Sequence, residues 1–317
     1  MSDKPIISLS TSYLQSRFDG DGYAMLQRAR ELGFEYVELG HSTTITSMEG
    51  IIKAVEEGVV KVSSLHNFCP VPPFTKGASP NLFSPATKSK MESQQWIRHT
   101  KTTLEFAERF GAKAIVCHLG FLSFFFVHPT AKLEKFKKNY DGENILEDAQ
   151  YLKILDKFTK FAKKRTEKRD YKNIERNIRE IADFASQKNI LLGLENREGA
   201  GELPLDWNFE VLVNALKNDT PARTWHDIGH SMRKQLEGFG EQTDLLERTK
   251  DSLIGWHLHD CSEEGKDHIA IGKGCIDFKK ISKYFDKQKH IFTLELNRSV
   301  RSADAMDSLK RVQDLLQ

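Results

Sequence analysis

The chain has 317 residues, 39% hydrophobic and 29% charged, with 47 basic side chains against 45 acidic ones and a formal net charge of +2. That composition is ordinary for a globular protein with a large core. Balanced charge lacks the strongly positive footprint of a nucleic-acid binder, and no apolar run approaches the roughly 20 residues that span a bilayer. The length suits two average domains or one α/β barrel with insertions, and a single domain over residues 1–317 is the expectation.

In chain order, short β-rich runs alternate with longer amphipathic segments. Met1-Ser2-Asp3-Lys4-Pro5 leads at once into the strand-like Ile6-Ile7-Ser8-Leu9 without the apolar stretch of a secretory signal, so a cytoplasmic location is expected. Strands are predicted at residues 6–10, 34–39, 60–66, 113–118, 190–195, 222–227, 253–258 and 290–296. Helices are predicted at 21–32, 47–57, 89–110, 145–187, 205–217, 240–250, 277–286 and 302–316, with Gly33, Gly58 and Gly111 as C-terminal stops. Eight strand–helix units in this order predict a (β/α)8 TIM barrel in place of an open doubly wound sheet.

Two loops depart from the compact pattern. The third, Asn67 to Ala86, carries Pro70, Pro72, Pro73, Pro80 and Pro85, which predicts an excursion or flap over the barrel that shapes access. After the fourth strand an extended helical insertion is expected over approximately residues 121–170. It opens with the aromatic run Phe121 to His128, whose Phe124-Phe125-Phe126 is read as core beneath the insertion, the alternative being an apolar wall over the site. The charged run Lys157 to Lys172 is read as a solvated helix face. Cys69, Cys117, Cys261 and Cys275 are scattered with no CxxC pair, which predicts reduced thiols.

In a parallel barrel all C-terminal strand ends open on one face, so polar residues that end apolar runs converge there. Glu38, His66, His118, Glu195, Asp227 with His230, His257 with His259, and Glu295 all hold such positions, and convergent carboxylates and imidazoles make a divalent metal site. Glu195 and Glu295 end the fifth and eighth strands, on opposite sides of the ring; bracketing a metal, they could both hold it and exchange protons with a substrate. His257 and His259 alternate along one strand, so one is expected to coordinate and the other to orient. His268 precedes Gly272-Lys273-Gly274, a tight turn rather than a phosphate cradle. Arg298 is read either as a contact to a substrate anion or as a surface arginine.

As an ordered set, Glu38, His66, His118-x-Gly120, Leu194-Glu195-Asn196, Asp227-x-Gly229-His230, His257-x-His259-Asp260, His268 and Glu295 resemble the xylose-isomerase-like barrel superfamily. That group includes sugar isomerases, ketose 3-epimerases, inosose dehydratases and metal-dependent abasic-site endonucleases. Resemblance to the epimerase branch implies one divalent ion (Mn, Mg, Co or Zn) on Glu195, Asp227, His257 and Glu295. It further implies that these two glutamates remove and return a proton through an enediolate, with His230 beside the substrate oxygens. Glu38, His66, His118, His259, His268 and Arg298 are expected to complete the substrate pocket. Glu263 stands where the epimerases carry an arginine. Resemblance to the endonuclease branch implies a trinuclear zinc cluster, but Lys266 stands where that branch places an aspartate, and a cation there disfavours the third zinc.

The sequence therefore predicts a metal-dependent isomerase or epimerase of a sugar or sugar phosphate. A zinc-dependent abasic-site endonuclease-like phosphodiesterase ranks second, and a non-catalytic sugar-binding descendant third, because the carboxylate pair is intact. The expected partner is a small carbohydrate or polyol, with no membrane, nucleic acid ranked behind, and a homo-oligomer left open.

Overall fold

Eight short strands close into a parallel barrel in sequence order: β1 (Ile6–Ser10), β2 (Tyr36–Leu39), β3 (Lys61–His66), β4 (Ala114–Cys117), β5 (Leu191–Glu195), β6 (Ala222–Asp227), β7 (Leu253–Leu258) and β8 (Ile291–Leu294). The ring is sealed by β1 against β8, with Ile6 opposite Ile291 and Leu9 opposite Leu294. This computed structural model describes residues 4–122, 130–142 and 144–317. Each strand sits at its predicted place, shorter at the ends by at most two residues.

The helices are α1 (Gly22–Glu31), α2 (Ile45–Glu56), α3 (Lys90–Arg109), α4 (Thr130–Lys138), α5 (Ala149–Arg165), α6 (Tyr171–Gln187), α7 (Phe209–Leu216), α8 (Ile228–Leu236), α9 (Gln242–Thr249), α10 (Phe278–Ile281) and α11 (Ser302–Leu315). Side-chain caps fix several starts: Asp21, Thr44, Ser89 and Asp148 each accept from a backbone N–H of the first turn. The predicted stops at Gly33, Gly58 and Gly111 have φ of 97°, 74° and 67°, the left-handed conformation that ends a helix.

Among the described residues, three α-helices occupy the connection from β4 to β5. The single segment predicted at 145–187 is divided into α5 and α6 by a π-helical turn at Thr166–Asp170. Within α5, Tyr151, Leu155, Phe158 and Ala162 are buried while Lys157, Lys160, Lys163 and Lys164 are exposed, the amphipathic division expected of a solvated face. Its apolar side packs toward the chain around β6: Tyr151 donates its hydroxyl to the Glu237 carbonyl at 2.8 Å, and the Phe158 ring lies edge-on to Trp207 and Phe239. The Phe124-Phe125-Phe126 cluster lies outside the described residues. No helix among the described residues is long and apolar enough to cross a membrane.

Two helices were not among the predicted spans: α4 falls inside the helical insertion expected over approximately residues 121–170, and α8 follows β6 with no intervening loop. For α4 the charged run gave little apolar periodicity, and only Leu133 is buried on it. For α8, the helix begins immediately after Asp227 because that carboxylate caps it, accepting the His230 backbone N–H at 2.7 Å.

The proline-rich third loop is an ordered excursion. Asn67 donates to Thr100 and accepts from Thr103 on α3, both at 2.9 Å, and Asn177 of α6 donates to the Pro85 carbonyl at 2.7 Å. Inside the barrel, Trp225 of β6 fills the centre with Ala114, Val116 and Ile291. Its ring lies against the backbone of both neighbouring strands. A Cβ on Gly193 would stand 2.9 Å from it, and one on Gly255 would stand 2.2 Å from it, which is why these strands carry glycine. Gly255→Ala should therefore destabilise the fold by about 1–3 kcal/mol through overpacking. Urea unfolding should show this as a lower midpoint, and Trp225→Leu in the same chain should recover part of the loss.

Candidate metal centre

Four side chains from the ends of β5, β6, β7 and β8 meet at the C-terminal mouth. Glu195, Asp227, His257 and Glu295 place one ligand atom each within 4.8 Å of one another. His257 is at the centre, its Nδ1 3.1 Å from Glu195 Oε1, 3.0 Å from Glu295 Oε2 and 3.7 Å from Asp227 Oδ2. Its other nitrogen, Nε2, is 3.0 Å from Glu38 Oε1, and Glu38 accepts the Ser64 hydroxyl at 2.8 Å on its second oxygen. Glu38 is fully buried behind the imidazole, so it orients His257 and does not line the pocket where the sequence reading put it.

The positions of these groups follow from local structure. Asn196 ties the end of β5 to that of β6, accepting the Asp227 N–H at 2.8 Å and donating to the Asp227 carbonyl at 2.9 Å. His259 places Nε2 3.0 Å from Asp227 Oδ1, while its Nδ1 accepts the His268 backbone N–H at 2.8 Å. With Nδ1 an acceptor, the ring carries its proton on Nε2 and directs it at Asp227. His259 is fully buried and stacked on His268 with centroids 4.0 Å apart, so it too stands behind the site and not in the substrate pocket. Gly229 makes this possible, because a Cβ there would lie 2.0 Å from the His259 ring.

A second group shares Glu195. His66, His118 and Glu195 have ligand atoms within 4.8 Å of one another, and His118 Nε2 is 2.8 Å from Glu195 Oε2. Both of those atoms are buried without a hydrogen-bond partner, so their close approach lacks hydrogen-bond direction. Lone pairs that converge in this way suit a shared cation better than a shared proton. His230 and His268 stand on the opposite side, with His268 Nδ1 held by the Glu295 carbonyl at 2.8 Å. Lys266 is exposed, but its neighbour Asp267 reaches the His230 side of the site, beside Glu198. Asp260 collects the backbone N–H groups of Cys261, Gly272, Gly274 and Ile276 at 2.9–3.2 Å, so the GxG segment is a turn clamped by a carboxylate and its amides are already used.

Above these ligands opens a cavity of about 450 Å³. Of the expected residues, His66, His118, His230, His268 and Glu295 line it. Pro80 and Asn81 of the third loop and Phe121 form part of the rim. Arg298 is exposed and is absent from the cavity wall among the described residues. The sequence reading missed His41, Arg197, Glu198 and Glu202, which all line the cavity. His41 and Arg197 each follow a strand-end glutamate closely, the same positional signal that singled out Glu38 and Glu195.

The model of the family described as the xylose isomerase-like TIM barrel matches residues 26–315. The chain belongs to that family. Among curated proteins, an uncharacterized protein of Methanocaldococcus jannaschii is 35% identical over 89 residues, 27% of this chain and 33% of that protein, so the match spans about a third of the relative's length. Solved structures of the same fold include a 3-keto-D-glucoside 4-epimerase from E. coli, 15% identical with a TM-score of 0.65 over 98% of this chain and 100% of that one. An AP endonuclease, family 2, from Brucella melitensis is 11% identical with a TM-score of 0.64, covering 98% of each chain. A xylose isomerase-like TIM barrel protein from Mycobacterium smegmatis in complex with magnesium is 12% identical with a TM-score of 0.62, covering 99% of this chain and 97% of that one.

Within this xylose isomerase-like barrel the electrostatics favour a cation at the ligand group. Burial alone would raise the Glu295 carboxyl, but His257, His268 and His66 outweigh it and bring it to about 2. Glu195 is likewise held well below the usual carboxylate range, where burial is overridden by Arg197, His118 and His257. Burial also opposes charge on His257, yet Glu295, Glu38 and Glu195 push its pKa well up, so the space at Nδ1 attracts positive charge. Three carboxylates and one imidazole, with no thiolate, are a donor set for Mg, Mn, Co or Zn. Replacing the partner that orients His257, Glu38→Gln, should weaken divalent-ion affinity by about 10–100-fold without unfolding the barrel. Titration with a competing chelator, alongside circular dichroism, checks both halves of that statement.

Proposed function

We propose that this chain is a metal-dependent isomerase or epimerase of a small sugar, acting by proton transfer at the carbon next to a carbonyl. The observation that supports this reading is the convergence of Glu195, Asp227, His257 and Glu295 beneath a cavity of about 450 Å³, a volume suited to a small molecule. In this reading these four side chains hold one divalent ion, which supplies the Lewis acid that polarises the substrate carbonyl. Glu195 and Glu295 then serve as the acid-base pair, one removing the proton and the other returning it through an enediolate. Imidazoles line the approach: His230 is 3.2 Å from Arg197 Nη1, and burial together with Arg197 keeps it neutral, able to take or give a hydrogen bond to a substrate hydroxyl. The epimerases among the similar folds support the same direction.

A second reading, a zinc-dependent phosphodiesterase, draws support from the His66–His118–Glu195 group and from the endonuclease among the similar folds. Metal content separates the two. Elemental analysis of protein purified without chelator should give one ion per chain, and a panel of ketoses should include a substrate. Two or three zinc ions, with salt-sensitive retention of duplex DNA, would favour the phosphodiesterase. On whichever ketose the wild type converts, Glu195→Gln should reduce turnover by about a thousandfold or more while the melting curve stays cooperative.

A further inference from the structure

The geometry points to an uncharged polyhydroxy compound, not a phosphate ester, as the substrate, because the guanidinium of Arg197 in the cavity wall is already held between the carboxylates of Glu195 and Glu202. This deepens the isomerase reading and rests on it.

Arg197 is 8% exposed and lies in the cavity wall. Its Nη1 is fixed by Glu195 Oε1 at 3.1 Å and by His230 Nδ1 at 3.2 Å. Its Nε lies 3.5 Å from Glu202 Oε1 and, although buried, has no hydrogen-bond partner. Glu202 is equally buried and is set by the Gly199 N–H at 2.9 Å and the Asn81 side-chain amide at 3.4 Å. The guanidinium is therefore held between two carboxylates of the protein, Glu195 and Glu202, with its Nε edge closed to the cavity. A phosphate or carboxylate oxygen only accepts, and it would turn a lone pair toward Glu202.

Charge in the pocket agrees. Arg197 is the one arginine or lysine in the cavity wall among the described residues, and residues 123–129 and 143 contain neither type in the sequence. Arg233, next to the wall, is taken up by Glu198 and by Asp267 at 3.1 Å. Two guanidinium groups thus face three carboxylates, while Glu195, Asp227 and Glu295 exceed the charge of a single divalent ion. A phosphate dianion would add to that excess, whereas a sugar hydroxyl adds no charge.

The test uses the full chain loaded with manganese, with sulfate as the probe, read by calorimetric titration and thermal melting; metal content is measured on the same sample. Wild type is expected to show no saturable sulfate binding. Glu202→Gln should gain it, with an affinity roughly tenfold or more above the weakest that the titration detects, because the guanidinium is released from its carboxylate, and adding Arg197→Met should remove it. Any ketose that stabilises the loaded wild type is expected to do so better than its phosphate ester. Sulfate binding by wild type that disappears in Arg197→Met, or an ester that stabilises more than its parent ketose, would overturn the inference even if Glu202→Gln did not fold. More than one metal ion per chain would instead remove the isomerase reading on which it rests.

Discussion

Burying the carboxylates of Glu38, Glu195, Asp227 and Glu295 around the imidazole of His257 is the constraint that organises the top of this barrel. Like charges at such spacing repel strongly away from water. Every other feature of the site works against that repulsion. Arg197 shares Glu195 with His257, His259 and the first turn of α8 share Asp227, and Ser64 takes the far oxygen of Glu38. With Glu195, Glu295 and Asp227 all within 3.7 Å of His257 Nδ1, the centre is suited to a cation.

Rigid backbone makes the arrangement affordable. Trp225 packed between Gly193 and Gly255 fills the barrel beneath the ligands, so the strand ends cannot sag inward. Around the mouth, loops are held by side chains acting as backbone substitutes. Asn196 bridges two strand ends, Asp260 gathers four amides, and Asn67 and Asn177 pin the proline-rich excursion. The cavity is thereby built from loop residues with little freedom, and its polarity is decided by which residues those loops carry.

Much of this was legible in the sequence, and what was not has a physical reason. Apolar runs ended by a polar residue located all eight strands and the four side chains that converge at the mouth, because a parallel strand buried on both faces leaves only its end for chemistry. The same signal could not tell a residue facing the cavity from one facing backward. Glu38 and His259 end strands as Glu195 and His257 do, yet they lie behind the ligands, because the direction of each side chain depends on the twist and stagger of the closed ring and not on its own strand. Glu202 was invisible for a different reason. It sits on a loop whose path is set by contacts such as its pairing with Phe121, between segments distant in sequence. The helix α8 was missed because its start signal, Asp227, is also the last residue of β6 and one of the strand-end carboxylates.

That double assignment affects how Asp227 can be interpreted in other members of this family. Its carboxylate starts a helix as well as facing the cation position, so selection for folding alone would retain an aspartate or asparagine there after catalysis had been lost. The residue is therefore a poor diagnostic of a working enzyme when relatives are sorted by sequence. Glu295, which caps no helix and opens onto the cavity, is the more informative position, since its acid is called for chiefly by the proposed metal binding and proton transfer.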